Sequence, residues 1–192
     1  MLKLFTKISN LFYKPIYISL LGNKKIDILN LQDKDISIYD IAISLSKICR
    51  FNGHSNEFYS VAEHSILCYE LAKNDNVEID GLKAVFAHDF SEAYCGDIIT
   101  PIKSYLGKKF SRIEDRISNS IAKKYNIDFD KYEKLIKYYD KKSLDLEFST
   151  YKHANLSYDS LTSTFFEIEK FLNIYYELFE NEKKPTYNLS SK

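Results

Sequence analysis

A chain of 192 residues has the size of one ordinary domain and can bury most of its apolar surface in a single core. Its 27 basic and 27 acidic residues cancel, so no long-range field favours nucleic acid or an anionic membrane as the main partner, and 45% hydrophobic against 28% charged residues argues against disorder. With 5 glycines and 3 prolines there is little material for many tight turns, so long helices are favoured over a sheet of short strands.

Lys3, Lys7, Asn10 and Lys14 interrupt the N-terminal segment before a signal-peptide core can form. No later stretch reaches the roughly 18 uncharged apolar residues of a spanning helix, so a cytoplasmic location without a membrane partner is expected. Ile16, Ile18 and Leu20 alternate before Gly22-Asn23, and Ile26 and Ile28 alternate after it, which reads as a hairpin over 16–30. From Ser37 the period turns helical through Ile41, Leu45 and Ile48, with Asp40 placed for a capping box, and a helix ending near Cys49 follows. Ser60 with Glu63 repeats the start signal ahead of Val61, His64, Leu67, Cys68 and Leu71, giving a helix over about 60–73.

Asp80 can cap the next helix, whose apolar residues run through Leu82, Val85, Phe86 and Ala93 to a stop at Gly96. Further helices are expected from Ser111, from Asp130 through Tyr151, and from Asp159 through Phe179. The fold class is therefore mainly α, a helical bundle with a small N-terminal β-hairpin. One domain is expected over residues 1–182, its first 35 an N-terminal extension, and residues 183–192 form a loose tail. Cys49, Cys68 and Cys95 are odd in number and lack a C-x-x-C pair, so buried reduced thiols are expected.

His88-Asp89 falls in the middle of an expected helix, where neighbouring side chains diverge by about 100° and both can reach an ion between them. Glu92 lies at i+4 from His88 and i+3 from Asp89, on the same face. Three titratable groups thus share a stripe flanked by Ala84, Val85, Phe86 and Ala87, where charges are costly unless paired or bound to a cation. His64 stands on the apolar stripe of the preceding helix, and by itself such a histidine is more often a satisfied core residue than a ligand. Asp140 is ambiguous too: it lies among Ile136, Tyr139, Ser143 and Leu144, with Glu147 two turns on, and a solvated face would explain it. Two imidazoles and two carboxylates would form a mixed N and O set suited to Mn, Fe, Co, Ni or Zn.

The runs ICRFNGHSNEFYSVAEHS (48–65), AHDFSEAYCGDIITPIK (87–103) and YDKKSLDLE (139–147) resemble the HD-domain phosphohydrolases of the 5'-deoxynucleotidase group and their viral deoxynucleoside-triphosphate hydrolase relatives. The resemblance spans about residues 37–150 and rests on the order H, HD, D together with E-x-x-x-G-D-x-x-T-P. It implies a helical HD-domain bundle holding one divalent transition metal ion (Co, Mn, Zn or Fe) on His64, His88, Asp89 and Asp140. Asp140 matches the last position better than Asp145, because the family places a glutamate seven residues later, here Glu147. A further Mg ion accompanying the substrate phosphates is compatible with such a site.

On the matching positions the resemblance makes Glu92 the acidic residue near the attacking water and Asp97 a second active-site carboxylate. Arg50, with a planar fork suited to phosphate, precedes the aromatic Phe51, and Lys103 would meet a distal phosphate. His54, in the loop before the His64 helix, is a candidate substrate contact or simply a polar loop residue, and His153 is assigned a surface or helix-end role. The expected reaction is attack of water on phosphorus in a deoxynucleotide, with Glu92 or Asp97 managing the proton. Alternatives are hydrolysis of a signalling nucleotide, or a silent nucleotide-binding module. A small-molecule nucleotide is the expected partner, and a homo-oligomer is expected because Phe165, Phe171, Tyr175, Tyr176 and Phe179 give the last helix more apolar surface than one core face demands.

Overall fold

The computed structural model describes residues 13–55, 57–152 and 164–179, and it is mainly helical with one small hairpin. The hairpin pairs β1 (Tyr17–Ser19) with β2 (Lys25–Asp27), placing Ile18 opposite Ile26. Between them Gly22 and Asn23 take left-handed φ of 72° and 60°, which suits the Gly-Asn pair read from the sequence. Asp27 then accepts from the Leu29 amide and turns the chain out of the strand.

The helices are α1 (Ile38–Leu45), α2 (Val61–Asn74), α3 (Ile79–Ala87), α4 (Glu92–Cys95), α5 (Thr100–Leu106), α6 (Lys108–Tyr125), α7 (Glu133–Glu147) and α8 (Thr164–Leu178). Ser37 caps α1 by accepting from the Asp40 amide. At α2 both halves of the Ser60/Glu63 capping box form, with Glu63 N donating to Ser60 Oγ at 3.1 Å and Ser60 N donating to Glu63 Oε2 at 2.7 Å. Helix α1 stops at Leu45, short of Cys49, because Cys49 bridges Ser60 while Arg50 N donates to Tyr59 O and Val61 N to Ile48 O. Those bonds draw residues 48–50 out of helical geometry and toward the start of α2.

Other boundaries depart from the sequence reading. The helix expected from Asp80 to Gly96 is interrupted: α3 ends at Ala87, residues 88–91 form a turn, and α4 is one further turn. There the amides of Phe90, Glu92, Ala93 and Tyr94 reach back three residues, so the break is a tightening of the helix rather than a proline or glycine stop. Gly96, at φ 80°, does end the run as expected, while Asp80 sits inside the first turn of α3 with Glu78 at the cap. Pro101 lies in the first turn of α5, a position that needs no amide hydrogen. Helix α6 starts at Lys108, directly after Gly107 with its positive φ, rather than at Ser111, and α7 starts at Glu133 rather than Asp130. Past Glu147 the α7 ladder loosens into a π-helical turn, Phe148–Lys152. Asp159, His153 and the tail at 183–192 lie outside the described residues.

Helix α2 runs through the core, packed against α3, α7 and α8. Its Val61, Ala62, His64, Ser65, Cys68 and Ala72 are fully or almost fully excluded from solvent. Across α3, α6 and α8 an aromatic layer fills the rest, with Phe86 and Phe171 centroids 4.7 Å apart and Tyr175 stacked on Phe179 at 4.9 Å. Phe171, Tyr175 and Phe179 are thus spent on the chain's own core, and Tyr176 hydrogen-bonds to Tyr39. Phe171, Tyr175, Tyr176 and Phe179 are four of the five residues on which an oligomer was expected, and the side chain of the fifth, Phe165, lies outside the described residues. Cys68 is buried, Cys49 and Cys95 only partly so, and all three are free thiols. Among the described residues no helix is long and apolar enough to cross a membrane.

Candidate metal centre

Three parts of the chain converge at one end of α2. His64 projects from its first turns, His88 and Asp89 come from the tightened turn after α3, and Asp140 comes from α7. His64 Nε2, His88 Nε2 and Asp89 Oδ2 form a nearly equilateral triangle with edges of 3.3, 3.4 and 3.3 Å. Asp140 Oδ1 stands 3.3 Å from the same His64 nitrogen. Donor atoms about 2.1 Å from a common cation lie roughly 3.0 Å apart at right angles and about 3.4 Å apart at tetrahedral angles, so these spacings suit one ion.

The protons point the same way. His88 Nδ1 is 2.7 Å from the Val85 carbonyl, and His64 Nδ1 is 2.5 Å from Glu147 Oε1, both acceptors that cannot donate to a ring nitrogen. Each Nδ1 therefore carries a hydrogen, and in the neutral rings both Nε2 atoms present lone pairs to one another. Two facing lone pairs beside two carboxylates make a site that is short of positive charge, which a cation or a proton relieves.

His64, Cys68 and His88 could also hold a metal ion, with ligand atoms within 4.8 Å of one another. Cys68 Sγ lies 3.6 Å from His64 Nε2 and 3.9 Å from Nδ1, almost equidistant from both. It thus sits beside the ring instead of ahead of the Nε2 lone pair, and it is already engaged with Ser143 Oγ at 3.3 Å. Asp89 and Asp140 have the better placed donors.

Electrostatics follow from the crowding. Burial works against the charged form of Asp140, but the hydrogen bond from His64 and the neighbouring imidazoles prevail and hold it at about 2. Asp89 is lowered likewise, burial being outweighed by His88, His64 and Arg50. Glu92 goes the other way: burial first, then the charges of Asp89 and Asp97, push its carboxyl up to about 9. Asp97 is also raised, mainly by burial. At His64 burial disfavours the charged ring, yet Cys68 and the hydrogen bond with Asp140 carry its proton affinity well above the ordinary value.

Arg50 is held against this cluster, its Nη2 3.1 Å from Glu147 Oε2 and its Nη1 3.8 Å from Asp89 Oδ2. Directly after it Phe51 and Asn52 take left-handed φ of 57° and 52°, each a strained conformation for a residue with a side chain. Phe51 packs on Phe148 with centroids 5.5 Å apart. Lys103 Nζ lies 3.3 Å from Glu92 Oε1 and 2.9 Å from Glu114 Oε1. Among the described residues the buried atoms Arg50 Nε and Glu92 Oε2 have no hydrogen-bond partner within the chain, so both remain available to a bound group.

The structure thus gathers Arg50, His64, His88, Asp89, Glu92, Asp140 and Lys103, with Asp97 close enough to perturb Arg50 and Glu92. His54 ends the 3-10 turn after Arg50 and is exposed. Glu147, fully buried and bonded to His64, Arg50 and Tyr59, entered the sequence reading only as a spacing mark; its position two turns past Asp140 was the available signal. Tyr59 gave none.

No known family profile matches the chain. It is similar to the uncharacterized protein YfdR of Escherichia coli K12, 45% identical over 93 residues that cover 48% of this chain and 49% of YfdR. It is also similar to an uncharacterized protein of Rhodobacter capsulatus, 35% identical over 112 residues that cover 56% of this chain and 57% of that protein. The chain therefore spans about half the length of these curated relatives.

Proposed function

We propose that the chain is a metal-dependent phosphohydrolase of the HD-domain type acting on deoxynucleotides, with one divalent transition ion on His64, His88, Asp89 and Asp140. The observation that carries this reading is the triangle of His64, His88 and Asp89 donors at about the separation a shared cation imposes, with Asp140 3.3 Å from the His64 donor. When bound, such a cation lowers the pKa of a coordinated water and offsets charge on a phosphate oxygen.

The chain's own residues supply the rest. The Arg50 guanidinium, with its free Nε, offers a planar fork to phosphate oxygens at the edge of the cluster. Glu92, pushed up to about 9, can hold a proton near neutral pH and pass it between the attacking water and the leaving oxygen, with Asp97, also raised by burial, as the second carboxylate beside it. Lys103 keeps a positive charge next to Glu92 and faces the same space as a contact for a further phosphate. Phe51, pinned by Phe148, borders Arg50 and presents an aromatic face to the sugar or base.

The test is to incubate the purified chain with Mn2+ or Co2+ and a panel of mono- and triphosphate deoxynucleotides, following release of phosphate and polyphosphate. Release that needs the added ion and disappears in His88→Gln is expected. A chain that binds nucleotide yet releases nothing with either ion would overturn the reading.

A further inference from the structure

Glu147 ends α7 with its carboxylate wholly excluded from solvent. Burying such a charge is expensive unless donors surround it. Oε1 accepts from His64 Nδ1 at 2.5 Å and from the Tyr59 hydroxyl at 3.1 Å, and Oε2 accepts from Arg50 Nη2 at 3.1 Å. One carboxylate therefore joins the side chain facing the cation position to the guanidinium facing the phosphate position. The other neighbours of His64 Nδ1 are Ser143 Oγ at 3.3 Å and Cys68 Sγ at 3.9 Å, and a hydroxyl or thiol can either donate or accept. Glu147 alone among these forces the hydrogen onto Nδ1.

We infer that Glu147 is a positioning residue serving both halves of the site: it fixes His64 in the tautomer whose Nε2 is free for a divalent cation, and it aims Arg50 across the same cluster at an anion. Without it His64 can take the other tautomer and donate from Nε2 to Asp89 or Asp140, 3.4 and 3.3 Å away, which blocks the cation position. Arg50, released by Glu147, would swing fully onto Asp89 and compete for a second ligand. Loss of one carboxylate thus weakens cation and phosphate binding together. This inference rests on the assignment of His64 to the cation and Arg50 to phosphate, and it does not require that any nucleotide be hydrolysed.

Mn2+ affinity of the full chain, read by paramagnetic resonance with and without inorganic phosphate, tests it. Glu147→Gln is expected to bind Mn2+ roughly 10- to 100-fold more weakly, the usual loss for a removed partner of a ligating histidine. Glu147→Asp is expected to recover part of the affinity, and phosphate is expected to tighten Mn2+ binding in the parent but not in Glu147→Gln. Parent-like Mn2+ affinity in Glu147→Gln would overturn the inference. A measurement on the unmodified chain stands apart from any folding defect in the variants: long-range proton–nitrogen correlation of the metal-free imidazoles is expected to show hydrogen on His64 Nδ1, and a ring bearing hydrogen only on Nε2 would overturn it. Weakened Mn2+ binding without hydrolysis in the parent would remove the proposed reaction and leave the role of Glu147 standing.

Discussion

His64 Nε2 and His88 Nε2 face each other at 3.3 Å while each ring turns its other nitrogen to an acceptor that cannot donate, Glu147 for one and the Val85 carbonyl for the other. A cation or a proton between the two lone pairs accounts for that arrangement, and the proposed ion is the first of these. His88→Gln is therefore expected to lose divalent-ion affinity by more than the roughly 10- to 100-fold attached to supporting residues. Asp140→Asn, at a side chain 49% exposed, is expected to lose less than His88→Gln. Calorimetric titration with Mn2+ orders the two variants, and equal affinity for parent and His88→Gln would count against the site.

Cys68 provides a discriminating test of which ligands are used. With Asp89 and Asp140 as donors, the Co2+ form should show no sulfur-to-cobalt charge-transfer band, and Cys68→Ser should leave the spectrum as it was. A near-ultraviolet band that vanishes in Cys68→Ser would move the ion toward His64, Cys68 and His88.

Glu92 ties the site to pH. Its carboxyl is held at about 9 by burial and by Asp89 and Asp97, against an ordinary 4.5. In the metal-free chain the folded state keeps a proton that the unfolded state gives up, so this contribution to stability is complete below pH 4.5 and is lost as pH climbs toward 9. The steepest slope is about 1.4 kcal/mol per pH unit. Glu92→Gln removes the dependence, so in chelator its melting temperature is expected to gain on the parent between pH 5 and pH 8. A gap that narrows over that range would contradict the raised value. The same variant is expected to lower turnover by about 10²- to 10⁴-fold while retaining Mn2+.

Much of this was legible in the sequence, for reasons that differ by residue. Ser37 and Ser60 start helices because their signals are local: hydroxyl, amide and carboxylate all lie within four residues. Asp80, Ser111 and Asp130 carry the same chemistry but start none, since Glu78, Gly107 and Tyr132 occupy the caps and neighbouring packing sets the entry. The pairing of His88 with Asp89 is visible, yet the tightened turn that brings their donors to 3.3 Å depends on bonds reaching back three residues, which no period reveals. Glu147 was the least legible, because its partners His64 and Arg50 lie 83 and 97 residues away and only the fold puts them on one carboxylate.

The aromatic layer offers a check on the fold that is independent of the site. Phe86 is fully buried between Tyr69, Phe90 and Phe171, so Phe86→Ala is expected to cost about 3 to 5 kcal/mol in urea unfolding. Tyr105 on α5 is 91% exposed, and Tyr105→Ala is expected to stay within about 0.5 kcal/mol of the parent. Similar losses at both positions would contradict the packing described.

The most direct test of the proposed chemistry is hydrolysis of a deoxynucleotide in water enriched in oxygen-18, with Mn2+ or Co2+ added and then removed by chelator. Release that requires the ion and places one heavy oxygen in the liberated phosphate or polyphosphate, with none in the nucleoside-containing product, is the expected result. Heavy oxygen on the sugar hydroxyl of the nucleoside, or no release while the ion stays bound at His64 and His88, would contradict attack of water on phosphorus at this centre.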